Sequence, residues 1–298
     1  MTKIGIALSG GGIRAFSQLP ILAALHREGV EIDAISGTSM GSVIAALYAS
    51  GVDIETVKDV ALELEKEIQD KKIMSRPSMK LLPFSKDKLV GGLVDGQDLE
   101  DVLDVYLEKL GLHMIQDAKI PLAINAVDII TGRTIMFVSH PELYQNSDPE
   151  TLVIDNIKLS TAVRASCSFP FVIAATPFED MMLVDGGVRQ NLPLVPIKDY
   201  GVDRTIAITM HSNEPFKDFD SMIGLGTRVM DIMRIEADQL VQKQADVHIN
   251  IPLDKVGIFE IGRGQFTMIQ GARVIRYHMD DIRKLTKKES WFDRLKRR

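Results

Sequence analysis

The stretch Ile32-Asp33-Ala34-Ile35-Ser36-Gly37-Thr38-Ser39-Met40-Gly41-Ser42-Val43-Ile44-Ala45-Ala46-Leu47-Tyr48-Ala49-Ser50-Gly51 decides the fold. Residues 32–36 read as a short strand, and residues 43–49 as a helix that is apolar on every face and stopped by Gly51. Between them stands Gly37-Thr38-Ser39-Met40-Gly41, a G-x-S-x-G. Glycines on either side permit a strained turn that lifts a serine hydroxyl into the open. The helix that follows presents its positive end and its free N–H groups beside that serine. With glycine and serine each near ~7% of residues, the pattern arises by chance in roughly one chain in ten of this length. Its weight therefore comes from its position between strand and helix. A plain strand–helix turn whose serine caps the helix is the competing reading.

Upstream, residues 4–8 form a strand that enters Ser9-Gly10-Gly11-Gly12-Ile13-Arg14. Three successive glycines let backbone N–H groups converge on one point, which suits an anion or a developing oxyanion. The Gly-Lys-Ser/Thr ending of a phosphate loop is missing. Gly10-x-Gly12-x-x-Ala15 does fit the looser dinucleotide fingerprint, but the second strand runs into the serine turn and its one acid, Asp33, lies near its start. A bland glycine-rich turn stays open as well. Arg14 either steadies the loop or meets a phosphate. A helix follows over 14–28, with Pro20 predicting a late start or a kink.

Downstream, helices are predicted over 52–69, 99–110, 159–165 and 221–244. Strands are predicted over 122–128 and 134–139, joined as a hairpin through Thr131-Gly132-Arg133, and over 172–175, 181–184, 205–210 and 247–251. His278 falls in a basic late helix. Residues 71–97, broken by Pro77, Pro83, Gly91, Gly92 and Gly96, are a candidate lid. The alternation predicts an α/β chain with a mainly parallel sheet covered by helices. The strand over 181–184 ends in Asp185-Gly186-Gly187. A carboxylate there can accept a hydroxyl proton, although Asp-Gly is also a common turn pair. Of the six histidines, His211 alone stands at a strand end and is the best candidate for a serine–histidine triad, behind Asp185 as the base. No histidine shows metal-ligand spacing, so neither a metal nor a cofactor is expected.

The 298 residues are 45% apolar and 26% charged, which suits one large α/β domain over residues 1–282. The net charge of −6 gives no reason to expect nucleic acid. A single cysteine, Cys167, fits a reducing compartment. No signal peptide or bilayer-spanning run is read from the sequence, so a cytoplasmic chain is expected. The basic tail, residues 283–298, holds Arg283, Lys284, Lys287, Lys288, Arg294, Lys296, Arg297 and Arg298 against Glu289 and Asp293. It reads either as a peripheral contact with the inner membrane surface, Trp291 and Phe292 dipping in, or as a solvated terminus.

Ser9-Gly10-Gly11-Gly12-Ile13-Arg14, Gly37-Thr38-Ser39-Met40-Gly41 and Asp185-Gly186-Gly187, in that order, resemble the patatin-like phospholipase family. Gly92-Leu93-Val94-Asp95-Gly96, Arg164-Ala165-Ser166-Cys167-Ser168-Phe169-Pro170 and Asn191-Leu192-Pro193 fit it as well. The resemblance implies a three-layer α/β/α fold and hydrolysis of fatty-acyl esters of lipids, of phospholipase A or lysophospholipase type. It implies Ser39 as nucleophile and Asp185 as general base. The oxyanion hole would come from Gly10, Gly11 and Gly12, chiefly the latter two, together with Met40 beside the nucleophile. Arg14, Gly37, Gly41, Gly186 and Gly187 would support the site. Ala15 departs from the glycine many members carry there, and Phe16 and Gln18 give the helix an unusual start. Two other readings stay open. One is a soluble esterase or thioesterase on small or CoA esters; the other is a non-catalytic descendant that binds lipid or protein. No particular protein partner is indicated.

Overall fold

The computed structural model describes residues 2–75, 77–78, 91–212 and 222–286. Among the described residues nine strands form one sheet: β1 (Ile4–Leu8), β2 (Ala34–Gly37), β3 (Leu122–Asp128), β4 (Thr134–Val138), β5 (Leu152–Ile154), β6 (Thr176–Phe178), β7 (Met181–Asp185), β8 (Arg204–Thr209) and β9 (Val247–Asn250). The path β5-β4-β3-β2-β1-β8-β9 has a parallel centre, since β3, β2, β1, β8 and β9 all run one way. β4 lies antiparallel to β3 along one edge. The other edge of β3 is shared, first by parallel β2 and then by antiparallel β7.

Helices cover both faces. They are α1 (Leu19–Arg27), α2 (Met40–Ala49), α3 (Ile54–Asp70), α4 (Gln97–Lys109), α5 (Leu159–Cys167), α6 (Leu194–Asp199), α7 (Met222–Val241) and α8 (Gly264–Thr286). Strand alternation explains the two layers. Ile6, Leu8, Ile35, Ile124, Ile206 and Ile208 point to one face, where they pack with Leu22 of α1, Ile44 of α2, Leu64 of α3, Val163 of α5 and Ile275 of α8. Each such fully buried side chain contributes about 1.5–3 kcal/mol. The opposite face carries alanine instead: Ala7, Ala34, Ala123 and Ala207 pack with Leu194 and Ile197 of α6. Helix α2 is buried from Gly41 through Leu47, which accounts for its apolar sequence on every side. The result is the expected three-layer α/β/α fold.

Several elements differ from expectation. The first helix starts late: residues 12–18 form a 3-10 helix (Gly12–Gln18), and the α-helical part begins with Pro20 in its first turn, where a missing N–H costs nothing. Residues 172–175 are not a strand. They lie beside the segment after Gly91, with Val172 accepting from Leu93 and Val94, and the strand follows at Thr176–Phe178. Neither β5 nor the six-residue α6, which contains Pro196, was read from the sequence. Helix α8 continues past residue 282, and Arg283 in its last turn donates to Glu28 at 2.8 Å. Residues 287–298 of the basic tail and residues 76 and 79–90 of the candidate lid lie outside the described residues. No described helix is long and apolar enough to cross a membrane.

Candidate active site

Ser39 sits between β2 and α2 with φ 53° and ψ −132°, a backbone conformation that costs a non-glycine residue about 1–3 kcal/mol. The neighbouring contacts over-determine it. Its N–H donates to Ser166 Oγ at 2.9 Å, and its carbonyl accepts from Ser42 Oγ at 2.6 Å. The Thr38 hydroxyl donates to Asn125 Oδ1 at 2.7 Å. Gly41 is required for close approach: a Cβ there would stand 2.6 Å from the carbonyl oxygens of both Leu8 and Ser9. The serine is nearly buried, at 8% exposure.

Asp185 ends β7 and is 1% exposed. Its Oδ1 accepts from the Gly187 N–H at 2.7 Å, while Oδ2 has no hydrogen-bond partner among the described residues. Burial pushes this carboxyl above the ordinary carboxylate range. The Ser39 hydroxyl, the Gly187 amide and the charge of Arg234 oppose that shift. No hydrogen bond of ordinary geometry joins the Ser39 hydroxyl to Oδ2 in this structure. Such a carboxylate is more basic than an exposed one, which suits proton abstraction near neutral pH.

The glycine loop closes over this pair. A Cβ on Gly10 would lie 3.0 Å from Ser39 Cβ. Gly12 has φ +57° and no room for a side chain, since a Cβ would stand 1.9 Å from the Ile258 carbonyl oxygen. The Gly11, Gly12 and Met40 amides make no hydrogen bond to the described residues, which leaves them open to an oxyanion. Gly10 is a correction: its N–H donates to the Asn191 carbonyl at 3.2 Å and is already spent. Arg14 steadies the loop, its Nε donating to the Val256 carbonyl at 2.6 Å. His211 does not complete a triad. Its Nε2 faces Asp238 Oδ2 at 3.0 Å instead.

A narrow apolar cleft, partly open to solvent, is lined by Ser39, Gly12, Met40, Leu99, Phe169 and Phe259, among others. Cys167 also lines it; burial, with the charge of Asp185, pushes its thiol up, which disfavours the nucleophilic thiolate. Arg234 of α7 reaches the same cavity, its guanidinium 5.8 Å from the Phe169 ring centroid. Sequence reasoning missed Arg234 and Asp238, because a long helix gives no local signal of which turn faces a distant loop. Asn125 was likewise read only as part of a strand.

The strand–serine–helix turn at the carboxyl end of a central strand of a mainly parallel sheet defines a class, the three-layer α/β/α proteins built around such a turn. Within it, the chain belongs to the patatin-like phospholipase family, a family of lipid hydrolases, whose profile matches residues 6–197. An uncharacterized NTE family protein of Mycobacterium tuberculosis is 27% identical over 213 residues, covering 71% of this chain and 50% of its own. Lysophospholipase NTE1 of Candida albicans is 27% identical over 210 residues, 70% of this chain and 13% of its own. VipD of Legionella pneumophila has a TM-score of 0.48 at 13% identity, over 94% of this chain and 67% of its own. The chain thus spans half the length of the mycobacterial relative and a small part of the fungal one.

Proposed function

We propose that this chain is a serine acyl hydrolase that cleaves fatty-acyl esters of lipids, of phospholipase A or lysophospholipase type. One observation carries the reading: Asp185, buried and with Oδ2 unpartnered among the described residues, stands beside a strained serine at the wall of an apolar cavity. Asp185 takes the proton of Ser39 Oγ as that oxygen attacks the ester carbonyl carbon. Negative charge moves onto the carbonyl oxygen, where the Gly11, Gly12 and Met40 amides donate to it. The intermediate collapses, the bond to the alcohol breaks, and the proton held by Asp185 passes to the leaving alkoxide. An acyl-enzyme remains. Water then gives a proton to Asp185 and attacks the acyl carbon. Collapse of the second intermediate frees the fatty acid and returns the proton to Ser39 Oγ.

The cavity suits an acyl chain, since its lining is almost wholly apolar. Membership of a lipid hydrolase family supports the same substrate class. The basic residues 283–298 fit contact with an anionic lipid surface, and a cytoplasmic chain visiting the inner membrane face is the setting in which this serves the reaction. The test is fatty-acid release from lysophospholipid and diacyl phospholipid by wild type, Ser39→Ala and Asp185→Asn. Release by wild type alone is expected. Turnover confined to short-chain or CoA esters would make the protein a soluble esterase or thioesterase, and no turnover of any ester would make it a binding protein.

A further inference from the structure

Behind the glycine loop lies a buried polar cluster that the mechanism above does not use. Asp238, on α7, is 1% exposed. Its Oδ2 accepts from Asn191 Nδ2 at 2.7 Å and faces His211 Nε2 at 3.0 Å. His211 is itself fixed, because its backbone N–H donates to Asn250 Oδ1 at 2.9 Å.

Asn191 joins the two halves of the site. Its carbonyl accepts the Gly10 N–H at 3.2 Å. Its Oδ1 lies 2.8 Å from where a Cβ on Gly10 would stand and 3.3 Å from where one on Gly187 would. One side chain thus abuts both the glycine loop and the turn that holds Asp185. Asn191 is 5% exposed, and its Oδ1 has no hydrogen-bond partner among the described residues. The orientation of that amide therefore depends on the bond to Asp238. Freed from it, the amide can rotate to satisfy its orphaned oxygen, and the surfaces it presents to Gly10 and Gly187 move with it.

We propose that Asp238 is a positioning residue: by fixing the Asn191 side chain from α7, it holds the glycine loop at the distance from Ser39 that an oxyanion requires. This rests on the hydrolase reading above. Loss of the clamp acts on the transition state, where the loop amides matter, and little on binding of the acyl chain in the apolar cavity. A misplacement of about 1 Å in such a site costs about 10²-fold in rate.

The experiment compares wild type, Asp238→Ala and Asp238→Asn, with hydrolysis of p-nitrophenyl butyrate and the rate of fluorophosphonate labelling as readouts. For Asp238→Ala the expected result is a loss of about 10–100-fold in kcat and in labelling rate, with KM within about threefold of wild type. Asp238→Asn can keep its amide oxygen at the place of Oδ2, where it still accepts from Asn191 Nδ2 and from a His211 Nε2–H, so it restores kcat to within a few-fold. A purely structural role would lower Tm in both variants without this split. Should Asp238→Ala fail to fold, Asn191→Ala is expected to give the same kcat loss at unchanged KM. A folded Asp238→Ala or Asn191→Ala with wild-type kcat overturns the clamp while the hydrolase reading stands. A wild type that neither labels nor hydrolyses overturns the hydrolase reading, and the clamp falls with it.

Discussion

Gly37 and Asp185 end two different strands on the same edge of a third, two residues apart: Gly37 pairs with Ile124 and Asp185 with Ala126. β2 arrives parallel to β3 and β7 arrives antiparallel, so their C-terminal ends meet head to head. At 3.2–3.4 Å per residue the two ends lie about 7 Å apart along β3. The chain leaves β2 through Thr38 and reaches Ser39 beside the carboxylate. Residues separated by nearly half the sequence are thus brought together by backbone register, before any side-chain contact is made.

The first prediction concerns Asp185→Asn. The asparagine Oδ1 still accepts from Gly187, so the turn survives, but no base remains. An acyl-transfer rate lower by about 10²–10⁴-fold is expected, measured as steady-state ester hydrolysis. Stability should move the other way. Because burial raises the Asp185 carboxyl in the folded state, its ionised form is a native-state penalty that is fully present above the raised value. That penalty fades as pH falls through the raised value. Thermal melts should therefore find Asp185→Asn at least as stable as wild type at neutral pH, with the gap closing in acid. A variant several degrees less stable at neutral pH would contradict this.

The pH dependence of kcat/KM should show an acid limb above the ordinary aspartate range, since only the ionised base takes the proton. The positive charge of Arg234 holds the Asp185 carboxyl down from where burial alone would put it. In Arg234→Met the limb should move to higher pH. A limb that stays put or moves to lower pH would remove Arg234 from the electrostatics of the base.

Gly41→Ala should cost about 1–3 kcal/mol in chemical denaturation, because its Cβ would press on two backbone carbonyls that cannot move aside. Gly29→Ala is the control. Gly29 has φ +71° and open space around it, so only the backbone penalty of about 1–2 kcal/mol applies, and reactivity of Ser39 should be untouched. Equal loss of Ser39 reactivity in both variants would argue against the packed turn as the cause.

Removal of residues 287–298 takes away six basic and two acidic side chains. Each basic residue near an anionic surface is worth about 1 kcal/mol, so binding to vesicles containing phosphatidylglycerol should weaken more than tenfold. Binding to purely zwitterionic vesicles should change little. Full-length and shortened chains that sediment equally with anionic vesicles would end the membrane reading of this segment.

Much of this architecture is legible in the sequence because its signals are local. The apolar run after Gly41, the glycines around Ser39 and the strand before Asp185 each declare their element within about ten residues. What the sequence hides is register. Nothing near Gly10 indicates that its N–H is used up by the Asn191 carbonyl, and nothing near His211 indicates that it turns to Asp238. Likewise residues 172–175 look like a strand by composition, yet their backbone pairs with the segment after Gly91, an arrangement set by tertiary contact. Helix α7 shows its place only in the fold, which brings Arg234 to the cavity and Asp238 to Asn191.

The most direct test of the central claim is intact-mass analysis after fluorophosphonate treatment of the wild-type chain and of Ser39→Ala. The account predicts one adduct on wild type, on Ser39, and none on the variant. A folded wild type that takes no adduct, or a Ser39→Ala variant that still takes one, would contradict it.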